Sequence, residues 1–233
     1  MLLLFEPDFI APDRVRLSGR RLDYVRSVHH AGPGDTLRVG ALNGRMGSGM
    51  VTAISDAAME MQVSLSDDPP APPPLTLLLA MPRPKVLRRL IQGITTLGVK
   101  RIYIMRTWRV EKSYWQTPLL DEKALLDEMY LGLEQARDTV LPRIEVRRQF
   151  KPFVEDELPA IARDTLRLAA HPGAGQACPR GVGQPVTLAV GPEGGFIPYE
   201  IEALQKIGFT PVSMGERTLR VEQAVPALVG RLL

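Results

Sequence analysis

Cysteine is almost absent from this chain: Cys178 stands alone among 233 residues. A lone thiol excludes an intramolecular disulfide and any Cys-rich zinc site. Histidine is nearly as scarce. His29 and His30 are adjacent and His171 is remote, which is no metal-ligand spacing, so no metal is expected. No run of 18 apolar residues exists, which leaves no candidate membrane helix. The apolar opening Met1–Phe5 stops at Glu6-Pro7 and has no basic leader, too little for a secretion signal. A soluble cytoplasmic protein is the expectation. Net charge is only +3, and mean hydropathy is −0.03, ordinary for a globular chain of one large or two small domains.

Proline, by contrast, is plentiful. Asp67 to Pro74 holds Pro69, Pro70, Pro72, Pro73 and Pro74. Such a segment is stiff and extended, and cannot join a helix or a central strand. It predicts domains over 1–68 and 75–233 with a linker over 69–74. In the first, Leu37–Val39, Gly49–Ile54 and Met59–Leu65 read as strands, the last by period-two alternation, and Leu17–Val28 as a short helix. This is a small β-rich module.

The second part alternates strand and helix. Strands are expected at Leu75–Ala80, Val99–Met105, Thr165–Ala170, Val186–Val190 and Thr210–Ser213. Helices are expected at Pro84–Leu97, Leu119–Arg137, Pro198–Ile207 and Glu222–Leu232. That order calls for α/β architecture: a parallel sheet with helices on both faces. If Glu222 is the last helix's N-cap, Pro226 falls in the first turn, where no N–H is needed.

Three segments follow strands and read as ligand loops: Ala169–Gly173, Gly191–Phe196 and Met214–Arg220. In open parallel sheets, ligands bind at the carboxyl ends of strands. Gly191-Pro192-Glu193-Gly194-Gly195-Phe196 lacks the Lys-Ser/Thr ending of a P-loop and the spacing of a dinucleotide fingerprint. Taken alone, it reads equally as a plain β-turn. Charge is also uneven. Residues 83–112 hold Arg83, Lys85, Arg88, Arg89, Lys100, Arg101, Arg106, Arg109 and Lys112 against one acid, Glu111. This density fits a phosphate backbone, and equally a solvated helix face.

His171-Pro172, then Gly191 to Phe196, then Met214-Gly215-x-x-x-Leu219-Arg220-x-Glu222-x-Ala224 resembles the ribosomal RNA small-subunit methyltransferase E family. Those proteins are uridine-N3 methyltransferases of 16S rRNA in the SPOUT superfamily. Met81-Pro82 to Gly98-Val99 and Glu134-Gln135 are also similar to family segments. The resemblance implies a SPOUT-type parallel sheet with a C-terminal trefoil knot, preceded by a PUA-like RNA-binding β-barrel. It further implies a homodimer and S-adenosylmethionine held by Leu168, His171, Gly191, Pro192, Gly194, Met214, Gly215 and Leu219. The family differs from this chain at His30, Gly93, Thr96, Arg137, Asp138, Val221 and Gln223. Where Arg137-Asp138 stand, it usually has Gly-Arg. The altered positions 30, 93, 137 and 138 are expected near RNA or on the catalytic face.

Methylating uridine N3 removes its proton and spreads negative charge to O2 and O4. Arg220 is the candidate for stabilising that anion, since a guanidinium stays charged and forks two oxygens. It reads equally as a surface arginine paired with Glu216 or Glu222. Glu193 and Glu222 are candidate bases, with loop bracing or helix capping as the alternatives. RNA candidates are Arg14, Arg16, Arg20, Arg21 and Arg26 in the first module, and Arg83, Lys85, Arg88, Arg89 and Arg109 in the second. Trp108, Tyr114 and Trp115 are available for base stacking or for ordinary packing. The partner would be 16S rRNA or the small ribosomal subunit. A diverged paralogue acting on another RNA, or an idle RNA-binding protein, would share these features.

Overall fold

The computed structural model describes residues 1–233, which form two compact units. The first comprises Met1–Ala71 with Leu133–Leu141, the second Pro72–Gly132 with Pro142–Leu233.

The first unit holds β1 (Leu2–Leu4), β2 (Phe9–Ala11), β3 (Arg14–Leu17), α1 (Arg20–Tyr24), β4 (Thr36–Ala41), β5 (Met46–Ile54) and β6 (Met59–Asp67). They make one mixed sheet in the order β1-β4-β5-β6-β3-β2, with β1 parallel to β4 and the other pairs antiparallel. Alternation in β6 turns Met59, Met61 and Val63 inward against Val15, Leu17, Leu22 and Val39. The helix expected over Leu17–Val28 is shorter. Gly19, at φ +59, starts α1, and a π-helical turn over Val25–His29 ends at His30, φ +51. Leu2–Leu4, part of the apolar opening for which no element is predicted, is a buried strand. Residues 133–141 belong here through the Met1 ammonium donating to the Glu134 carbonyl at 3.2 Å and Asn43 N–H donating to Thr139 O at 2.8 Å. Burial pulls the Met1 amine pKa below its usual value.

The second unit holds β7 (Leu75–Ala80), α2 (Pro84–Thr96), β8 (Arg101–Met105), α3 (Glu122–Ala136, whose last turn lies in the first unit), β9 (Arg143–Arg147), α4 (Phe150–Pro152), α5 (Leu158–Ile161), β10 (Leu166–Ala170), β11 (Val186–Val190), α6 (Pro198–Lys206), β12 (Thr210–Val212) and α7 (Val221–Leu232). All six strands are parallel, in the order β12-β10-β11-β7-β8-β9. Burial on both faces explains why β7 and β11 are apolar apart from one buried threonine each, Thr76 and Thr187. In α2, Leu87, Leu90, Ile91 and Ile94 are buried while Lys85, Arg88 and Arg89 face solvent. Gly98, at φ +79, follows its end. No helix is long and apolar enough to cross a membrane.

Two expectations need correction. The N-cap of α7 is Arg220, not Glu222: the N–H groups of Gln223 and Ala224 donate to the Arg220 carbonyl at 2.9 and 2.7 Å. Starting there turns Val221, Val225, Leu228, Val229 and Leu232 inward along one face. Burial of that face outweighs the cost of Pro226, which now lies at the sixth helical position and offers no N–H to Glu222 O. The second correction concerns β9 and the α4–α5 segment, which the hydrophobic pattern did not signal.

Cys178 is buried, and burial pushes its thiol pKa up, partly opposed by Arg231. Native protein at neutral pH therefore holds less thiolate than unfolded chain. Iodoacetamide is expected to alkylate Cys178 at least about tenfold faster in guanidinium than in buffer, read by mass spectrometry. Equal rates would contradict the burial.

Candidate active site

The three loops after β10, β11 and β12 converge on one cavity. Its walls come from Ala170–Pro172, Val190–Glu193 with Gly195, and Val212–Gly215 with Arg217–Leu219; Val221, Ala224 and Leu228 of α7 close it. The strands end side by side because β10 pairs with both β11 and β12 in register.

The glycine-rich loop is folded tightly on itself. Gly195 N–H donates to Pro192 O at 2.8 Å, and Gly195 sits at φ +71. A Cβ on Gly191 would lie 3.1 Å from Phe196 N and 3.2 Å from Gly195. A side chain there would crowd the loop's own backbone, and glycine lets backbone approach backbone. The outer side of the loop is braced. Arg83 N–H donates to Glu193 Oε1 at 3.0 Å, and the Arg109 guanidinium donates to Gly194 O. Arg83 itself is held above its usual pKa by a hydrogen bond with Tyr114 and by the Glu193 charge.

Glu200, which sequence reasoning missed, is buried at 2% exposure. Its carboxylate accepts from Trp108 N–H at 2.6 Å and from Ile197 N–H at 3.0 Å. It thereby ties the loop after β8 to the end of the glycine-rich loop. Its position, the third residue of a helix that starts at Pro198, was the available signal.

His171 N–H donates to Val212 O at 2.9 Å, while its ring Nδ1 is buried without a hydrogen-bond partner. An orphaned ring nitrogen on a cavity wall suits a polar ligand. The rest of the wall is mostly apolar side chain and loop backbone, with Glu193, Ser213, Arg217 and Thr218 as its polar members, as in sites for small organic cofactors.

Of the predicted residues, His171, Gly191, Pro192, Glu193, Met214, Gly215 and Leu219 lie on the cavity. Leu168 is buried within β10 and Gly194 faces outward beneath the Arg109 side chain, so neither lines it. Arg220 and Glu222 flank the lining residue Val221 but do not reach the wall. Arg220 is exposed and pairs with neither Glu216 nor Glu222. Arg217, not singled out from sequence, does line the cavity.

The basic candidates divide. In the first unit, Arg14 and Arg16 pair with Glu60, Arg20 with Glu134 and Arg26 with Asp56, all at the surface. Arg21 is turned inward at 14% side-chain exposure. It binds both Asp8 oxygens and Leu3 O beneath the Phe5 ring, so its charge is spent inside the fold. In the second unit Arg88 pairs with Glu128 at 3.3 Å, whereas Lys85, Arg89, Arg106 and Lys112 are exposed without acidic partners. Trp115 is buried beneath Arg148, which removes it as a stacking surface, and Trp108 is 80% exposed. Among the altered positions, Asp138 is buried rather than on a face open to RNA, and Arg137 adopts φ +55. No group of three or more His, Cys, Asp or Glu is arranged to hold a metal ion.

Residues 69–233 match the RNA methyltransferase domain family. A ribosomal RNA small subunit methyltransferase E of Treponema pallidum is 28% identical over 97% of this chain and 88% of its own length. A protein of the same name from Synechocystis is 26% identical over 95% and 73%. Among solved structures, a methyltransferase from Legionella pneumophila, determined with the cofactor SAM, superposes with TM-score 0.73 at 22% identity, covering 97% and 95% of the two chains. A ribosomal RNA small subunit methyltransferase E from Neisseria gonorrhoeae, bound to S-adenosyl methionine, gives 0.74 at 18% identity over 98% and 95%.

Proposed function

Since this chain belongs to the RNA methyltransferase domain family, we propose that it methylates N3 of a uridine in 16S rRNA, using S-adenosylmethionine. The observation that carries this reading is the three-loop cavity, with its apolar walls, exposed loop backbone and unpartnered His171 Nδ1. Those features fit an adenosine-bearing cofactor. When bound, S-adenosylmethionine supplies an electrophilic methyl group, so the chain needs no nucleophile of its own.

His171, Gly191, Pro192, Met214, Gly215 and Leu219 would hold the cofactor, with Leu168 and Gly194 supporting the walls from behind. Glu193 lies on the cavity but is engaged by Arg83 N–H, which favours a bracing role. Glu222, on the first turn of α7, half-buried and not engaged by another side chain or N–H, is left as the freer acceptor for the uridine N3 proton. Arg220, at the start of the same helix, would stabilise charge on O2 and O4. The parallel helix-covered sheet is the setting for the proposed trefoil knot. Gly181 N–H to Arg231 O at 3.0 Å and Val182 N–H to Leu232 O at 2.7 Å tie a connecting loop to the end of α7. We place the protein in the cytoplasm as a homodimer, with the first unit a PUA-like RNA-binding module.

The test is mass mapping of rRNA from a deletion strain, with isothermal titration of the purified chain by S-adenosylmethionine. Loss of one 3-methyluridine from 16S rRNA, restored by the gene, is the expected result. Unchanged 16S rRNA with cofactor binding would move the target to another RNA, and no binding would leave an idle RNA-binding protein.

A further inference from the structure

Trp108 is the most exposed large apolar side chain of the second unit, at 80%. An indole left in water forgoes the gain of burying its ring, so such exposure on a loop fixed to the glycine-rich loop calls for a partner. Its backbone is not loose. Its N–H is fixed to the buried Glu200 carboxylate at 2.6 Å, and its neighbour Arg109 is anchored on Gly194 O. The preceding Thr107 and the following Val110 are buried. The ring is thus displayed by a loop held at two adjacent residues, to α6 through Glu200 and to the outer side of the glycine-rich loop through Gly194. Around it, Arg106 and Lys112 are exposed and carry no acidic partner.

We propose that Trp108 is a stacking platform for an unpaired nucleobase of the RNA substrate, beside the base being modified. An aromatic face flanked by cations on a rigid loop matches single-stranded RNA: the ring takes the base and the cations take the adjoining phosphates. A second copy of this chain is the weaker occupant. A two-fold contact centred on Trp108 would bring two sets of Arg106 and Lys112 together, and like charges at a contact are costly. The inference rests on the reading that the substrate is RNA.

The test uses full-length protein with Trp108→Ala and Trp108→Phe, an RNA oligonucleotide spanning the mapped uridine, and S-adenosylmethionine titrated separately. Base–aromatic stacking is worth about 1–3 kcal/mol, so Trp108→Ala is expected to weaken RNA binding roughly five- to 150-fold. Cofactor affinity should stay within about twofold. Trp108→Phe, which keeps a ring, should retain most of the RNA affinity yet lose the quenching of tryptophan fluorescence that RNA causes in the wild type. RNA affinity unchanged in Trp108→Ala would overturn the proposal, as would a dimer that dissociates in this variant by analytical ultracentrifugation. If the wild type binds cofactor but methylates no RNA, the functional reading fails and this inference falls with it.

Discussion

Arg220→Ala is expected to lower kcat for RNA methylation by about 10² to 10³, the usual cost of removing one donor to a developing oxyanion. S-adenosylmethionine affinity should remain near wild type. The reasoning is positional. Arg220 is the N-cap of α7, is exposed, and has no acidic partner, so its charge is free for a substrate that gains negative charge only on the way to product. Its fold should tolerate the change, because the groups that α7 uses at this residue are backbone. Arg220→Lys should recover only part of the rate, since an ammonium is a compact point charge without the guanidinium's planar set of donors. Arg217→Ala should behave differently. Arg217 lines the cavity on the same loop as Met214 and Gly215, where it can engage the cofactor's carboxylate. Loss of a charge-assisted hydrogen bond costs about 1.5–3 kcal/mol, so KM for S-adenosylmethionine should rise on the order of ten- to 100-fold with kcat changed little. Steady-state methyl transfer with both substrates varied separates the two. Wild-type kcat in Arg220→Ala would move anion stabilisation to another group, with Arg217 the first to examine.

These roles were only partly legible in the sequence. β7 and β11 were readable to the residue, because strands buried on both faces are nearly continuous apolar runs, here with one threonine each, bounded by turn residues. The convergence of three loops was also legible, since parallel strands put their carboxyl ends on one edge. What could not be read was which side chains of a loop turn inward. Gly194 and Gly195 are neighbours, yet one lies under Arg109 and the other lines the cavity. Glu200 is one acid among several on a predicted helix, and only the tertiary approach of the Trp108 loop makes it a buried clamp. Arg21 looked like its exposed neighbours until Asp8, thirteen residues earlier, took its charge. Arg137, where the resembling family has glycine, sits at φ +55, a left-handed conformation costing a non-glycine residue about 1 kcal/mol. This chain keeps the turn after α3 without the residue best suited to it.

Gly47→Ala is expected to unfold the first unit. Gly47 is the second residue of β5, beside a register shift against β6. An added Cβ would fall 1.9 Å from Ser64 O, 2.9 Å from Ser64 C and 3.1 Å from Leu65 Cα. All three are backbone atoms of the paired strand, so no side-chain rotation relieves the clash. The strands must part, opening a sheet whose inner face carries Val39, Val51, Met61 and Val63. A cost above about 4 kcal/mol is expected, against a total stability of order 5–15 kcal/mol for a domain. Gly49, two residues on, gives the control. Its Cβ would meet side chains only, Val39, Met61 and Val63, at 3.1 to 3.3 Å. Flexible Met61 can shift, so Gly49→Ala should cost about 1–3 kcal/mol, the range for overpacking. Gly93 supplies the opposite sign. It is exposed inside α2 with nothing within 4 Å of a Cβ, and Gly93→Ala should stabilise by about 0.5–1 kcal/mol through helix propensity. Thermal melts of the three variants should therefore order as Gly47→Ala far below wild type or insoluble, Gly49→Ala modestly below, and Gly93→Ala slightly above. A Gly47→Ala protein that melts with the wild type would mean that β5 and β6 do not approach as closely at this bulge as their backbone atoms indicate.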